Sequence, residues 1–198
     1  MKFHYAGKFD GNIENLPKRE HHPNAVPFKE PKNVKTMSLI ANLGSLVVMI
    51  LLAIPYIIFV KSYLIENAVW LPLGAVCSML TLFPHELLHA VCFKDDVYMY
   101  NALSKGVMFV VGNEDMSKGR FVFMSLLPNI IFGIIPYIIG FIFPNLVVLG
   151  FMGLICTGMG MGDYINVFNA ITQMPKGAKT YLCGFNSYWY KEDEVMAE

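Results

Sequence analysis

Four stretches of this 198-residue chain are long and apolar enough to cross a bilayer, and that fact limits every fold open to it. Met37 to Val60 runs for 24 residues without a charge. Asn67 to Phe93 carries only His85, Glu86 and His89 as charged or histidine side chains, Phe121 to Phe143 carries none, and Asn145 to Ile171 carries Asp163 alone. A hydrocarbon core of about 30 Å takes roughly 20 helical residues, so each stretch is long enough. Such spans are helical because unpaired backbone groups in lipid are too costly. Pro55, Pro72, Pro84, Pro128 and Pro136 are expected to kink them locally. The composition agrees, with 55% hydrophobic and only 15% charged residues.

Fourteen of the 15 Lys and Arg residues lie in the N-terminal tail, the middle loop or the C-terminal tail. Only Lys61 falls between the first two spans. By the positive-inside rule both termini and the middle loop are cytoplasmic. The expectation is therefore an all-α integral membrane protein of four transmembrane helices, N-in and C-in: a cytoplasmic tail over 1–36, a membrane core over 37–171 with spans 37–60, 67–93, 121–143 and 145–171, and a cytoplasmic tail over 172–198. Within the middle loop, 94–120, Val97–Tyr100 and Val107–Val111 are β-prone runs around a Ser104-Lys105-Gly106 turn, predicting a small cytoplasmic-side β-hairpin. The N-terminal tail, with four prolines, reads as flexible or only partly ordered. Formal net charge is zero, so no basic excess exists to hold nucleic acid. Cys77, Cys92, Cys156 and Cys183 show no paired spacing, which argues against disulfides and a thiolate zinc site.

His85-Glu86-Leu87-Leu88-His89 is an HExxH motif. On a helix the histidines, four residues apart, share one face and can reach one metal ion. Glu86 is placed to hydrogen-bond a metal-bound water instead of the metal, which is the geometry of a zinc hydrolase. Catalytic zinc usually has three protein ligands plus water, so one is missing. His4, His21 and His22 lie outside the spans, whereas Asp163 is the one acidic or basic residue of the last two spans. A lone carboxylate in hydrocarbon needs a cation or metal beside it. His85 and Asp163 each lie eight residues before the cytoplasmic end of an inward-running span, at about 12 Å depth. Asp163 is thus the candidate third ligand, with a structural hydrogen-bonding role as the alternative.

The run Gly158-Met159-Gly160-Met161-Gly162 before Asp163 is no nucleotide loop, since no strand precedes it. It suits close approach of the fourth span to the second, and a loosening that turns Asp163 toward the metal. Asn166 and Asn129 are buried amides that either steady the carboxylate or an oxyanion, or make interhelical hydrogen bonds. Cys156 and the methionines read as packing.

From Asn67 to Lys179 the pattern resembles site-two-protease intramembrane zinc metalloproteases, and more closely a family of small bacterial membrane proteins of the zincin peptidase kind. His85, Glu86 and His89 match the first motif, and Asp163 matches the zinc-binding aspartate, although Gly162 and Tyr164 flank it where site-two proteases carry Leu and Gly. The closer family has a β-prone segment after HExxH, a basic residue leading into a Leu-Pro helix, and a Gly-Asp near the last span; Val97 to Val111, Lys118 to Arg120, Leu127-Pro128 and Gly162-Asp163 correspond. The resemblance implies Zn²⁺ on His85, His89 and Asp163, Glu86 as general base, a membrane protein or peptide as substrate, and residence in a bacterial cytoplasmic membrane. Two other readings stand beside the protease. One is a catalytically silent metal-binding scaffold or regulator, which has no need of Glu86. The other is a small metal-ion transporter, which wants ionisable groups at several depths. No feature sets an oligomeric state.

Overall fold

The computed structural model describes residues 2–31, 33–103 and 107–192. Helix α1 (Val34–Glu66) is the first apolar run extended at both ends, capped by the Asn33 side chain on the Lys35 N–H. The second run is helix α2 (Leu71–Leu80) followed by α3 (Leu82–Ala90), interrupted at Thr81. Pro84 has no N–H to give the Leu80 carbonyl, which accounts for an interruption there. The third run is α4 (Lys118–Pro128), a π-helical stretch over Asn129–Ile134, and α5 (Ile135–Ile142). The fourth is α6 (Val147–Met159) and α7 (Met161–Gln173), bent by 50° about Gly160. Three helices, 35–66, 68–90 and 118–142, are long and apolar enough to cross a membrane, and a fourth span results if the bent pair is one unit.

Along α1 a broad belt including Leu43, Val47, Ile50, Ile54, Ile58 and Phe59 is exposed. An apolar surface of that extent is suited to lipid and unsuited to water. On its inner side α1 packs Tyr56 and Val60 against Leu154, Tyr137 and Phe141. Glycines permit the closest helix contacts. Gly140 and Gly150 face each other across α5 and α6, and a Cβ on Gly74 of α2 would meet the Val148 carbonyl at 2.9 Å.

The β structure exceeds the single hairpin expected. Strands β3 (Val97–Ala102) and β4 (Val107–Gly112) do form an antiparallel pair from Val97↔Gly112 to Ala102↔Val107. The Ser104-Lys105-Gly106 turn lies outside the described residues. The N-terminal tail adds β1 (Phe3–Lys8) in parallel to β3, so the sheet order is β1-β3-β4 and β4 is its edge. A second, antiparallel sheet joins β2 (Val26–Pro27), β5 (Met116–Ser117), β6 (Lys179–Cys183) and β7 (Asn186–Tyr190) in the order β2-β7-β6-β5. The all-α description is therefore corrected to mostly helical with two small sheets, and the reading of the N-terminal tail as loose is corrected too: Phe3–Lys8 and Val26–Pro27 are strands. Both tails pack against the helices around a core that includes Phe28, Phe93, Val97, Met116, Phe121 and Met174.

Candidate metal centre

Helix α3 carries the two histidines on one face, as their spacing requires, and their Nε2 atoms are 3.1 Å apart. The bend at Gly160 brings Asp163, in the first turn of α7, against both: Oδ2 is 3.3 Å from His85 Nε2 and Oδ1 is 3.2 Å from His89 Nε2. The first turn of a helix has free N–H groups and favours a carboxylate. In tetrahedral zinc with bonds of about 2.0–2.1 Å, neighbouring ligand atoms are about 3.3 Å apart. The histidine nitrogens, 3.1 Å apart, are near that spacing, and the carboxylate completes a triangle of groups with one oxygen on each imidazole, at 3.3 and 3.2 Å. Two imidazoles and a carboxylate are also a donor set that zinc takes in hydrolases.

A second carboxylate adjoins the triangle. The ligand atoms of His85, Glu86 and His89 lie within 4.8 Å of one another, so distance alone leaves Glu86 open as a ligand. Its direction argues otherwise. Glu86 is one residue past His85, about 100° around the helix from the histidine face. Asp163 touches both imidazoles directly, at 3.3 and 3.2 Å.

The shell around the triangle traces back to one proline. Pro128 lacks the N–H that would bond the Met124 carbonyl four residues earlier. That carbonyl accepts a hydrogen bond from His89 Nδ1 at 2.9 Å. A carbonyl can only accept, so a proton is on Nδ1 and Nε2 is the ring nitrogen that faces the centre. One residue on, the Asn129 N–H bonds Leu126 O, leaving Ser125 O to the Asn129 side chain. Asn129 Nδ2 uses its two hydrogens on Ser125 O (3.0 Å) and Asp163 Oδ2 (2.7 Å). Asn129 thus steadies the carboxylate and has no hydrogen left for an oxyanion.

Gly160 is a glycine for steric reasons, since a Cβ there would overlap Asn129 Oδ1. Gly158 faces Met49 of α1, so the glycine run packs the fourth span on the first and third rather than on the second as expected. Asn166 lines the same cavity one turn beyond Asp163. Cys156 Sγ is 3.3 Å from Thr81 Oγ1, in a packing position.

Two basic residues at the start of α4 tie down the helices that bear the ligands. Lys118 Nζ donates to Ile171 O (3.1 Å) and Met174 O (2.8 Å) at the end of α7. Arg120 Nε donates to Cys92 O (3.0 Å) just past α3, and its Nη1 pairs with Glu114. Cations suit helix C-termini, where carbonyls lack partners. The roles of Pro128, Lys118 and Arg120 escaped the sequence analysis. The four-residue step from Met124 to Pro128 was a readable signal, but nothing local pointed to His89 as the recipient.

Comparison with known families agrees with this chemistry. A family described as "Putative zincin peptidase" matches residues 78–179, more than half of the chain, and the chain belongs to it. Membership implies zinc as cofactor. No curated protein and no solved structure matches.

Proposed function

We propose that the protein is an intramembrane zinc metalloprotease of the site-two-protease kind, spanning the membrane four times with both termini in the cytoplasm. It hydrolyses peptide bonds of membrane protein substrates near the cytoplasmic side. The observation that carries the reading is the meeting of His85, His89 and Asp163 in one cavity of about 550 Å³ that also contains Glu86 and the edge strand β4. A cavity of that size admits an extended segment of a few residues. Zinc bound by His85, His89 and Asp163 supplies a Lewis acid for the scissile carbonyl and lowers the pKa of water. Glu86 takes the proton of the attacking water and returns it to the departing amine nitrogen. Val107 to Val111 line the cavity from the free edge of their sheet, which suits strand addition by an unwound substrate. This pairing presents the scissile amide and strips it of its helical hydrogen bonds.

The presence of Glu86, buried and turned into the cavity, favours an enzyme over a silent scaffold. The deciding experiment purifies the wild type in detergent beside Glu86→Gln and His85→Ala, then measures zinc by elemental analysis and cleavage across a panel of single-span substrates. Zinc in the wild type and Glu86→Gln, with cleavage in the wild type only, is the expected pattern. Full cleavage by Glu86→Gln would overturn the mechanism, and a folded wild type without zinc would overturn the function.

A further inference from the structure

We propose that Glu30 forms a cation-selecting subsite at the mouth of this cavity, taking a Lys or Arg side chain just cytoplasmic of a substrate's span. Glu30 lines the same cavity as the HExxH helix and lies four residues before α1 begins, where the chain leaves the cytoplasmic side. Its Oε1 is held by the Ser187 N–H (2.8 Å) and Asn186 Nδ2 (3.1 Å), both on β7, which fix the carboxylate in place. Oε2 takes part in neither bond. Among the described residues no Lys or Arg lines the cavity, whose lining includes the apolar Met37, Leu182 and Phe185. Burial pushes the Glu30 carboxyl above its usual range, and the two hydrogen bonds offset this only in part. A fixed, partly desolvated carboxylate on an apolar wall is a receptor for a cation. Membrane proteins supply such a cation at a defined place, because their cytoplasmic flanks are rich in Lys and Arg. The depth of about 12 Å expected from the sequence corresponds to roughly four residues of extended chain. On that depth the selected residue is about four positions to the cytoplasmic side of the scissile bond.

This inference rests on the peptidase reading, and its test separates the two. Zinc-loaded Glu86→Gln protein in detergent micelles is titrated with fluorescein-labelled single-span peptides that differ only in carrying two Lys or two Gln in the cytoplasmic flank. The Lys peptide should bind about tenfold more tightly, with the preference shrinking at high salt. Adding Glu30→Gln, whose side-chain oxygen still accepts from Ser187 and Asn186, should abolish the preference with zinc content unchanged. Glu30→Lys should turn it toward a Glu-flanked peptide. Equal binding of both peptides, or a preference that survives Glu30→Gln, overturns the subsite alone. Failure of both peptides to bind the zinc-loaded protein overturns the subsite and the peptidase reading together.

Discussion

Two of the clusters that join histidine to aspartate differ in one partner. In the sheet region Asp115 accepts from Arg19 Nη1 at 2.8 Å and lies 3.3 Å from His22 Nε2. His22 stacks on Tyr190 with ring centroids 3.7 Å apart, and Arg19 lies over the Tyr181 ring. The guanidinium is a permanent cation, so this carboxylate is already neutralised and the cluster acts as a staple between the N-terminal segment and the C-terminal hairpin. Among the apolar helices Asp163 faces two imidazoles with no Lys or Arg among its described partners. Its neighbours are an amide and two rings, of which His89 is anchored through Nδ1 and turns Nε2 inward. Similar side chains thus make a closed structural contact where a fixed cation is supplied and a metal-ready site where it is withheld.

The largest contrast should come from zinc stoichiometry. Asp163→Ala and His85→Ala should drop from about one zinc per chain to near none, whereas Asp115→Asn should retain it. Loss of zinc on changing Asp115 would erase the distinction. Next in size is Glu86→Gln, with hydrolysis falling by about 10²–10⁴-fold at unchanged zinc content, read from initial rates on any cleaved substrate. Pro128→Ala restores an N–H that competes with His89 for Met124 O. Chelator competition should then reveal zinc affinity weaker by about 10–100-fold, and the visible spectrum of the cobalt-substituted protein should shift. An unchanged spectrum and affinity would remove Pro128 from the account.

The staple should give a smaller effect of another kind. Arg19→Ala leaves Asp115 partly buried without its cation and should cost about 1–3 kcal/mol, visible as a lower melting temperature and faster proteolysis of the N-terminal segment, with zinc retained. The smallest effect concerns Glu114. Burial pushes its carboxyl up, but Arg120 and the N–H groups of Lys94 and Asp95 outweigh that and hold it below the usual 4.5. With the folded value below the unfolded one, its stabilising contribution is complete above about pH 4.5 and fades as pH falls toward the lowered value. Melting curves from pH 7 to 3 should therefore flatten at the acidic end in Glu114→Gln, and an identical slope would show that the clamp carries no pH dependence.

Much of the site could be read from local spacing. Four residues between His85 and His89 place both rings on one face of any helix, and the isolation of Asp163 in an apolar run marks it without coordinates. The β-prone runs around 97 and 107 were legible because adjacent strands pair across a short turn. The strand at Phe3–Lys8 was not, since its partner β3 is more than ninety residues away and nothing in a polar, proline-containing tail announces a parallel pairing. The same holds for Val26–Pro27 against Trp189 and Tyr188.

What the sequence determined by itself is the apolar length of four segments, the helical face of the HExxH pair and the kinds of ligand available, because each depends on composition and on spacings of a few residues. Only the tertiary structure decided that the chain bends between α6 and α7 to bring Asp163 to both imidazoles, that Pro128 frees a carbonyl for His89, and that Glu30, in the cavity lining, is held by β7. Those outcomes join residues tens to more than a hundred positions apart. They follow from which surfaces fit when the helices pack, and no window along the chain contains both partners.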